Sequence, residues 1–435
     1  MQIPDPAKAL SITSGMDAWL ETMRCPGGYG GPVAHWWQHC LHYTGVGLDW
    51  RYEGIIAGYL NLYQKTGQTR WLDKARRAGD DLVKGQHASG NFIHSCFEMN
   101  PYSSGTPHEA ACDLGLLGLA RCLRDEKDPS WAVYASTAER NIQCFLVGKL
   151  WNETRQGFCE ESPSRPMTMN KIATIVEVLF SWADLSCETT WLESYGRLSL
   201  NTILARQIRV PGNRFDGAIE QVIQGERPAG AYFPFYIARC IPALILGYHW
   251  MGDRKYLQAA SAAMAFILRE RYPDGSFPQV LYKNGRIKRY PQWIAGAGDI
   301  LRAMSLMQKV GMDLSMDSTI QWLFDGILPG GGCKTARGFA SQSSQKKPAS
   351  APDFLDILPA CGWVDKAFRF MTGYIPTGTD LSVGPIGETY LDCLYSGSPA
   401  RYHEDASCIE VWQGKNLAYR WKKGKDWADT PVFFG

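Results

Sequence analysis

The chain has 435 residues, of which 45% are hydrophobic, and its formal net charge at pH 7 is +2. No block of basic residues accompanies this small charge, so the composition argues against a nucleic-acid-binding protein. No apolar run reaches about 18 residues, so we also expect no membrane-spanning helix. The partner class that remains is a neutral or singly charged small molecule.

The N-terminal residues and the cysteines indicate the cellular compartment in which we expect the protein. Residues 1–10 contain no long apolar run, so we expect no signal peptide. The thirteen cysteines are odd in number and form no CxxC pair, which is typical of buried free thiols in a reducing cytoplasm. The two nearest Cys–His clusters lack zinc-site spacing: His35, His39 and Cys40, and Cys393, His403 and Cys408. We therefore expect neither a metal site nor another cofactor.

In chain order, two kinds of predicted helix alternate. Six amphipathic segments with one polar face begin near Leu10, Trp71, Trp131, Trp191, Lys255 and Asp317. Six apolar segments rich in Gly, Ala, Leu and Ile begin near Leu48, Glu109, Asn170, Phe233, Tyr290 and Pro352. The starts of the apolar segments are 61, 61, 63, 57 and 62 residues apart. A period of this length predicts a repeated helical hairpin.

This alternation predicts an all-α fold with the architecture of an (α/α)6 toroid. A helix that is apolar most of the way round must be covered on all sides, whereas an amphipathic helix keeps one wet face. Six inner helices ringed by six outer helices satisfy both requirements over residues 1–375. An open α-solenoid is the structural alternative, although neither end of the array resembles a polar capping repeat.

The period stops after Ile375, so residues 376–435 are predicted to be a C-terminal extension packed on the ring. Within it, the stretch CIEVWQGKNLAYRWKKG alternates apolar and polar residues around a Gly-Lys-Asn turn. This pattern predicts a β-hairpin.

The candidate catalytic residues lie at the N-terminal ends of the predicted inner helices, which we expect to open onto a central cavity. They are Asp49, Glu53, His108 and Asp113. Glu53 and Asp113 each fall within an otherwise small and apolar helix, where a carboxylate is costly to bury unless it is paired or faces a hydrated cavity. The alternative is that these carboxylates only cap the helices and interact with their dipoles.

The candidate ligand-binding residues are aromatic, cationic or hydrogen-bonding side chains near the same ends. They are Trp36, Trp37, Arg51, Tyr52, His94, Glu109, Tyr236, Arg239 and Trp293. The loop from residue 27 to residue 47 is longer than its counterparts, and long loops in compact domains are often functional. The alternative for Trp36 and Trp37 is that they fasten this loop to the ring.

The hairpins, the glycine turns GNF, QGF and DGSF after outer helices, and the aromatics at the mouth resemble the six-hairpin glycosidase-type toroids. These include unsaturated glucuronyl hydrolases, N-acylglucosamine epimerases and the toroidal domains of polysaccharide lyases. The resemblance covers about residues 8–375 and rests on architecture and turn pattern.

The resemblance implies a carbohydrate-active enzyme, and we expect a glycoside hydrolase acting on an oligosaccharide or a sugar containing a uronic acid. One carboxyl would donate a proton while another positions water. One alternative is a polysaccharide lyase or sugar epimerase in which a tyrosine or histidine abstracts a proton. Another is a sugar-binding ring without catalysis. The sequence does not predict the oligomeric state.

Overall fold

The computed structural model describes residues 6–32, 45–93, 107–163, 165–224, 227–339 and 351–424. Within these ranges the α-helices, numbered in chain order, are α1 Pro6–Thr22, α2 Arg51–Thr66, α3 Thr69–Lys84, α4 Ala110–Asp125, α5 Trp131–Arg140, α6 Met169–Ser186, α7 Arg197–Ala205, α8 Pro234–Met251, α9 Arg254–Arg269, α10 Ala297–Lys309, α11 Asp317–Phe324, α12 Phe354–Ile357 and α13 Cys361–Gly373. A π-helical segment, Asn141–Leu150, continues α5, and another, Leu192–Gly196, leads into α7. None of the helices in these ranges combines the length and apolar character needed to cross a membrane.

Six helices pack side by side in a closed circle. Helix α2 packs on α4, α4 on α6, α6 on α8, α8 on α10 and α10 on α13, and α13 returns to α2. The outer helices α1, α3, α5, α7, α9 and α11 each pack on a member of this circle. An open solenoid would leave its first and last repeats apart. The contact between α2 and α13 therefore closes the ring.

Local sequence signals end several inner helices. Helices α2, α6 and α8 are each followed by a left-handed residue, namely Gly67, Cys187 and Gly252. The backbone N–H of each of these residues donates to a carbonyl oxygen four residues earlier, which satisfies an acceptor that the helix leaves open. The N-terminal side of α8 begins with Pro234, where a missing N–H costs nothing.

The predicted starts of the last two inner helices, near Tyr290 and Pro352, are wrong. Strand Gln292–Trp293 occupies the first region and pairs with Ala336–Arg337, so α10 begins only at Ala297. The short helix α12 occupies the second region, and α13 begins at Cys361 after Pro359. Proline lacks an N–H and disfavours helix in the preceding residue, which separates the two elements.

The strands are β1 Arg24–Cys25, β2 Gly28–Tyr29, β3 Trp151–Asn152, β4 Gly157–Phe158, β5 Met167–Thr168, β6 Val222–Gln224, β7 Arg227–Pro228, β8 Ala231–Tyr232, β9 Val280–Tyr282, β10 Ile287–Lys288, β11 Gln292–Trp293, β12 Ala336–Arg337, β13 Thr389–Tyr395, β14 Ser398–Glu404, β15 Cys408–Gln413 and β16 Asn416–Lys422. The last four form an antiparallel sheet in sequence order. Its β15–β16 pair is the predicted hairpin, but the β13–β14 pair was not predicted. An all-α class is therefore too narrow.

The C-terminal sheet contacts the first outer helix through a buried carboxylate. Glu404, at the end of β14, accepts a hydrogen bond from Trp19 Nε1 of α1 at 2.7 Å. Lys423 Nζ lies 2.9 Å from the same carboxylate and donates to Thr22 of α1 at 3.0 Å. The domain boundary between residues 375 and 376 remains a prediction.

Helices α2 and α13 approach closely because glycines of α2 face α13. A Cβ on Gly54 would collide with the backbone carbonyl of Asp365, and a Cβ on Gly58 would collide with the ring of Phe368. Backbone atoms cannot move aside as a flexible side chain can. A side chain at position 54 would therefore force α2 and α13 apart.

We expect Gly54→Ala to lower the free energy of unfolding by about 1–3 kcal/mol, the usual cost of overpacking. Gly118 is the matched control, because it lies inside α4 and a Cβ there would meet only Leu60 Cδ1, at 3.6 Å. Gly118→Ala should be neutral or stabilise by up to about 1 kcal/mol, since alanine favours helix. Urea denaturation of the three proteins measures both effects, and equal stability of the two variants would contradict the close packing.

Candidate active site

A cavity of about 360 Å³ lies where the inner helices begin. Each of the six inner helices contributes lining residues from its first turns or from just before them: Trp50 and Glu53, His108 and Ala111, Asn170 and Lys171, Tyr236 and Arg239, Asp299, and Trp363 and Lys366. The loop between β4 and β5 adds Glu160, Glu161 and Arg165. The expected position of the mouth, at the N-terminal ends of the inner helices, is where this cavity lies.

A network of six charged side chains lies at the base of this cavity, and three of them, Glu53, Arg239 and Asp299, line it. We call all six the floor cluster: Glu53, Glu177, Arg239, Asp299, Arg302 and Arg369. Arg239 lies 2.9 Å from the Glu53 carboxylate, Arg369 is in direct contact with it, and Arg302 lies 3.6 Å away. Three carboxylates face three guanidinium groups, so the formal charge of the cluster is balanced.

The floor cluster separates the cavity from a second one. On its other side lies a space of about 260 Å³ lined by Arg302, Arg369 and residues further along α2 such as Asn61 and Gln64. Glu53 borders both spaces. The centre of the ring is therefore crossed by ion pairs, and the upper cavity ends at them.

These ion pairs fix the protonation state of Glu53. Burial alone would raise the pKa of Glu53, but the charges of Arg239, Arg369 and Arg302 outweigh it and hold the pKa below the usual range. A carboxylate that stays ionised cannot donate a proton. Glu53 is thus unsuited to the general-acid role that the sequence suggested.

Aromatic side chains form one side of the cavity. Trp50 donates from Nε1 to the carbonyl oxygen of Gly362 at 2.7 Å, and the imidazole of His108 packs on its ring with centroids 4.6 Å apart. Trp363 stacks on Trp293 with centroids 4.4 Å apart and planes 17° apart. Both cavity-lining indoles are therefore held by neighbours.

Charged and amide groups form the other side of the cavity. Lys171 Nζ lies 2.8 Å from the Glu160 carboxylate, and Gln221 Nε2 donates to Asn170 Oδ1 at 2.5 Å. Lys366 extends between the indoles, with Nζ 5.9 Å from the ring centroid of Trp50. The cavity thus combines flat apolar surfaces with hydrogen-bonding and ionic groups.

Comparison with known proteins gives relationships of structure only. No protein-family model matches the sequence, and no curated protein matches it. The structure of a D-mannose isomerase matches at 12% identity with a TM-score of 0.61, over 83% of this chain and 96% of that one. Cellobiose 2-epimerase from Bacillus thermoamylovorans B4167 matches at 13% identity and 0.63, over 83% and 98%. An unsaturated glucuronyl hydrolase specific for heparin matches at 12% and 0.60, over 85% and 96%.

The chain has the six-hairpin glycosidase-like toroid fold. This confirms the resemblance drawn from the alternating helices and the glycine turns. Identities of 12–13% establish the fold and leave the chemistry to be argued from the side chains.

Several residues selected from the sequence lie in this toroid but do not line the cavity. Asp49 and Arg51 form a buried ion pair with Nε 2.7 Å from Oδ1. The hydroxyl of Tyr52 donates to Asp81 at 3.1 Å and accepts from the backbone of Tyr29. These groups brace the start of α2. Trp293 likewise supports Trp363 from behind and is 2% exposed.

Two carboxyl groups of the second inner hairpin are also buried away from the lining. Glu109 accepts hydrogen bonds from the backbone N–H of Phe92 and from Asn141, both at 2.9 Å. Asp113 is fully buried, and neither of its oxygens has a hydrogen-bond partner among the described residues. Burial and the nearby Glu109 raise the pKa of Asp113 well above its usual range. Burial therefore favours the neutral form of the Asp113 carboxyl.

Some of the remaining selected residues line the cavity, and the others lie outside the residues that the structure describes. Glu53, His108, Tyr236 and Arg239 line the cavity. Trp36, Trp37 and His94 lie outside the described residues.

Sequence reasoning did not select the lining residues Trp50, Glu160, Lys171, Trp363 and Lys366. A tryptophan directly before an inner helix was the available signal for Trp50. Trp363 and Lys366 could not be placed, because the predicted start of their helix was nine residues too early.

We expect Glu53→Gln to lower the free energy of unfolding by about 3–5 kcal/mol at pH 7, because it leaves one positive charge of the floor cluster uncompensated. Glu193→Gln is the control, since Glu193 is exposed. The pKa of folded Glu53 is lowered, so its stabilisation is present above the ordinary glutamate pKa of about 4.3 and is lost on acidification. Denaturation at several pH values should show the difference from wild type shrinking below that pH; a constant difference would contradict it.

Proposed function

We propose that this chain is a carbohydrate-active enzyme that hydrolyses a glycosidic bond in an oligosaccharide containing a uronic acid. The observation that carries the proposal is a cavity at the N-terminal ends of the inner helices, lined by two fixed indoles, a histidine, four acidic side chains and four cationic ones. The proposal takes the closed circle of helices as an (α/α)6 toroid, with residues 376–435 as an extension packed on it.

The aromatic side of the cavity suits a sugar ring. Pyranose rings present flat C–H faces that pack on indoles, and Trp50 and Trp363 offer two such surfaces. Their orientations are set in advance by Gly362 and Trp293, so little side-chain entropy would be lost on binding. A volume of about 360 Å³ falls within the usual range for small-ligand sites.

The electrostatics of the cavity favour a ligand that carries a carboxylate. All six inner helices direct their N-terminal ends at the cavity, and each such end carries partial positive charge. Lys171, Lys366 and Arg165 also reach this space, each paired with a neighbouring carboxylate, namely Glu160, Asp365 and Glu161. A ligand carboxylate would therefore interact with the helix ends and share these three cations. A uronate would use these charges, whereas a neutral sugar would not.

We assign the acid and base roles to His108 and Glu160. An imidazole can hold or release a proton near neutral pH, and a carboxylate at the wall can position and activate water. Glu53 is ionised among arginines, Asp49 is paired with Arg51, and Asp113 is buried away from the lining. This assignment therefore replaces those three acids of the sequence-based hypothesis and keeps His108.

The second candidate is a sugar epimerase or isomerase. His108 and Tyr236 both line the cavity, and each can carry a proton to or from a carbon next to a carbonyl group. The matches to structures of a mannose isomerase and a cellobiose epimerase add to this candidate. A sugar-binding ring without turnover is the remaining possibility.

We expect the protein to release a sugar from uronic-acid oligosaccharides, including unsaturated uronyl disaccharides. Hydrolysis is followed by new reducing ends and by loss of the absorbance of the unsaturated uronate. The matched control is the same oligosaccharide with its carboxylate reduced to an alcohol, which should react more slowly. Interconversion of neutral reducing sugars without cleavage would favour the epimerase, and binding without turnover would favour the binding ring.

We expect Glu160→Gln and His108→Gln each to lower kcat by about 10²- to 10⁴-fold, the usual contribution of a general acid or base. Glu153→Gln, at an exposed site outside the lining, is the control and should retain activity. Asp113→Asn should also retain turnover, because Asp113 is fully buried and does not line the cavity. Loss of turnover only in Asp113→Asn would return the catalytic role to Asp113.

A further inference from the structure

Three side chains able to bind a metal ion meet at one end of the C-terminal sheet. His403 lies on β14, Asp405 follows this strand, and Cys408 is the first residue of β15. One potential ligand atom from each lies within 4.8 Å of the other two. The group is separate from the cavity, since none of the three lines it.

The turn between β14 and β15 fixes two of these residues. Asp405 Oδ1 accepts hydrogen bonds from Ser407 N at 2.7 Å, Ser407 Oγ at 2.8 Å and Cys408 N at 2.8 Å. This arrangement engages one carboxylate oxygen and holds the start of β15 beside it. The other oxygen, Oδ2, lies 4.0 Å from His403 Nε2. The turn therefore presents a carboxylate oxygen and a thiol on the same side as the imidazole.

The imidazole of His403 is oriented but unsatisfied. Its ring stacks on Tyr390 with centroids 4.4 Å apart, and Nδ1 lies 4.0 Å from the carboxylate of Glu410 on the neighbouring strand. Its Nε2 is buried and has no hydrogen-bond partner among the described residues. Metal-binding histidines typically have a carboxylate near the nitrogen that does not bind the metal. Nε2 is the atom that a cation would satisfy.

We propose that His403, Asp405 and Cys408 bind one divalent cation of the zinc type. Nitrogen, sulfur and carboxylate oxygen are the donors that zinc takes in proteins, and three of them leave a fourth position for water. With bonds of about 2.0–2.3 Å, ligand atoms on one tetrahedral ion lie roughly 3.3–3.8 Å apart. The three side chains would need to close by about 1 Å, and each is only partly buried. The bound cation would cross-link β14 to the turn that follows it and to the start of β15.

This site differs from the cluster considered in the sequence analysis. That cluster combined Cys393 with His403 and Cys408, and its spacing is not that of a zinc site. Cys393 lies in the middle of β13 opposite Ala400, whereas Asp405 completes the group from within the turn. A carboxylate in place of a second cysteine is invisible to a search for Cys and His alone.

Titration of the reduced full-length protein with Co²⁺ tests the proposal, because cobalt bound to a thiolate gives a sulfur-to-metal charge-transfer absorption. We expect one equivalent of this signal, displaced by Zn²⁺. His403→Gln and Cys408→Ser should each weaken binding at this site by at least about 10–100-fold, the loss seen even for groups that only orient ligands. The matched controls are His249→Ala and Cys144→Ser, at exposed residues, which should retain the signal.

The second readout is thermal stability, since a cation that binds only the folded state raises the melting temperature. Zn²⁺ should raise it for wild type and both controls but not for His403→Gln or Cys408→Ser. Cation binding elsewhere on the chain contributes equally to wild type, the two site variants and the two controls. The comparison therefore uses the difference in bound Co²⁺ between each variant and wild type. The proposal fails if Cys408→Ser retains the charge-transfer signal, or if His403→Gln binds Co²⁺ with the same affinity as wild type.

Discussion

The structure depends most on the carboxylate of Glu53 being neutralised at the centre of the ring. The floor cluster joins α2, α6, α8, α10 and α13 through alternating charges, and none of these charges could stay buried without the others. Replacing both partners of a buried ion pair with apolar residues often costs less stability than replacing one partner alone. We therefore infer that the cluster fixes the relative positions of the helices more than it adds to the free energy of unfolding. Its position also divides the centre of the ring into two cavities.

The floor cluster also separates acids that hold the ring together from acids that can react. Guanidinium groups lower the pKa of the Glu53 carboxylate, and burial without a counter-charge raises the pKa of the Asp113 carboxyl. Glu160 sits beside a single lysine at the wall, and His108 packs on Trp50 at the mouth, so both can meet a ligand. The chemistry is therefore expected at the wall of the cavity and away from its base.

The sequence predicted the helices well because the inner and outer segments differ in local pattern. It could not predict which charges meet, because Glu53 finds Arg239 and Arg369 at separations of 186 and 316 residues. The expectation that a carboxylate in an apolar helix is paired or faces water applied equally to Glu53 and Asp113. In the structure Glu53 is paired with arginines, whereas Asp113 is buried without a hydrogen-bond partner among the described residues. Trp363 has no local sequence feature that distinguishes it from a core residue such as Trp71. Strand β13 was missed because its exposed Tyr390 breaks the expected alternation.

The C-terminal sheet is coupled to the cavity by a short series of contacts. Glu404 is 1% exposed and is neutralised by Lys423 while it accepts from Trp19 of α1. Helix α1 packs on α13, which carries Trp363 and Lys366 into the cavity. Loss of the sheet would leave the indole N–H of Trp19 without its buried acceptor and would loosen α1 against α13. We infer that the extension supports the aromatic side of the cavity, since the helix presenting Trp363 relies on an outer helix that the sheet holds in place.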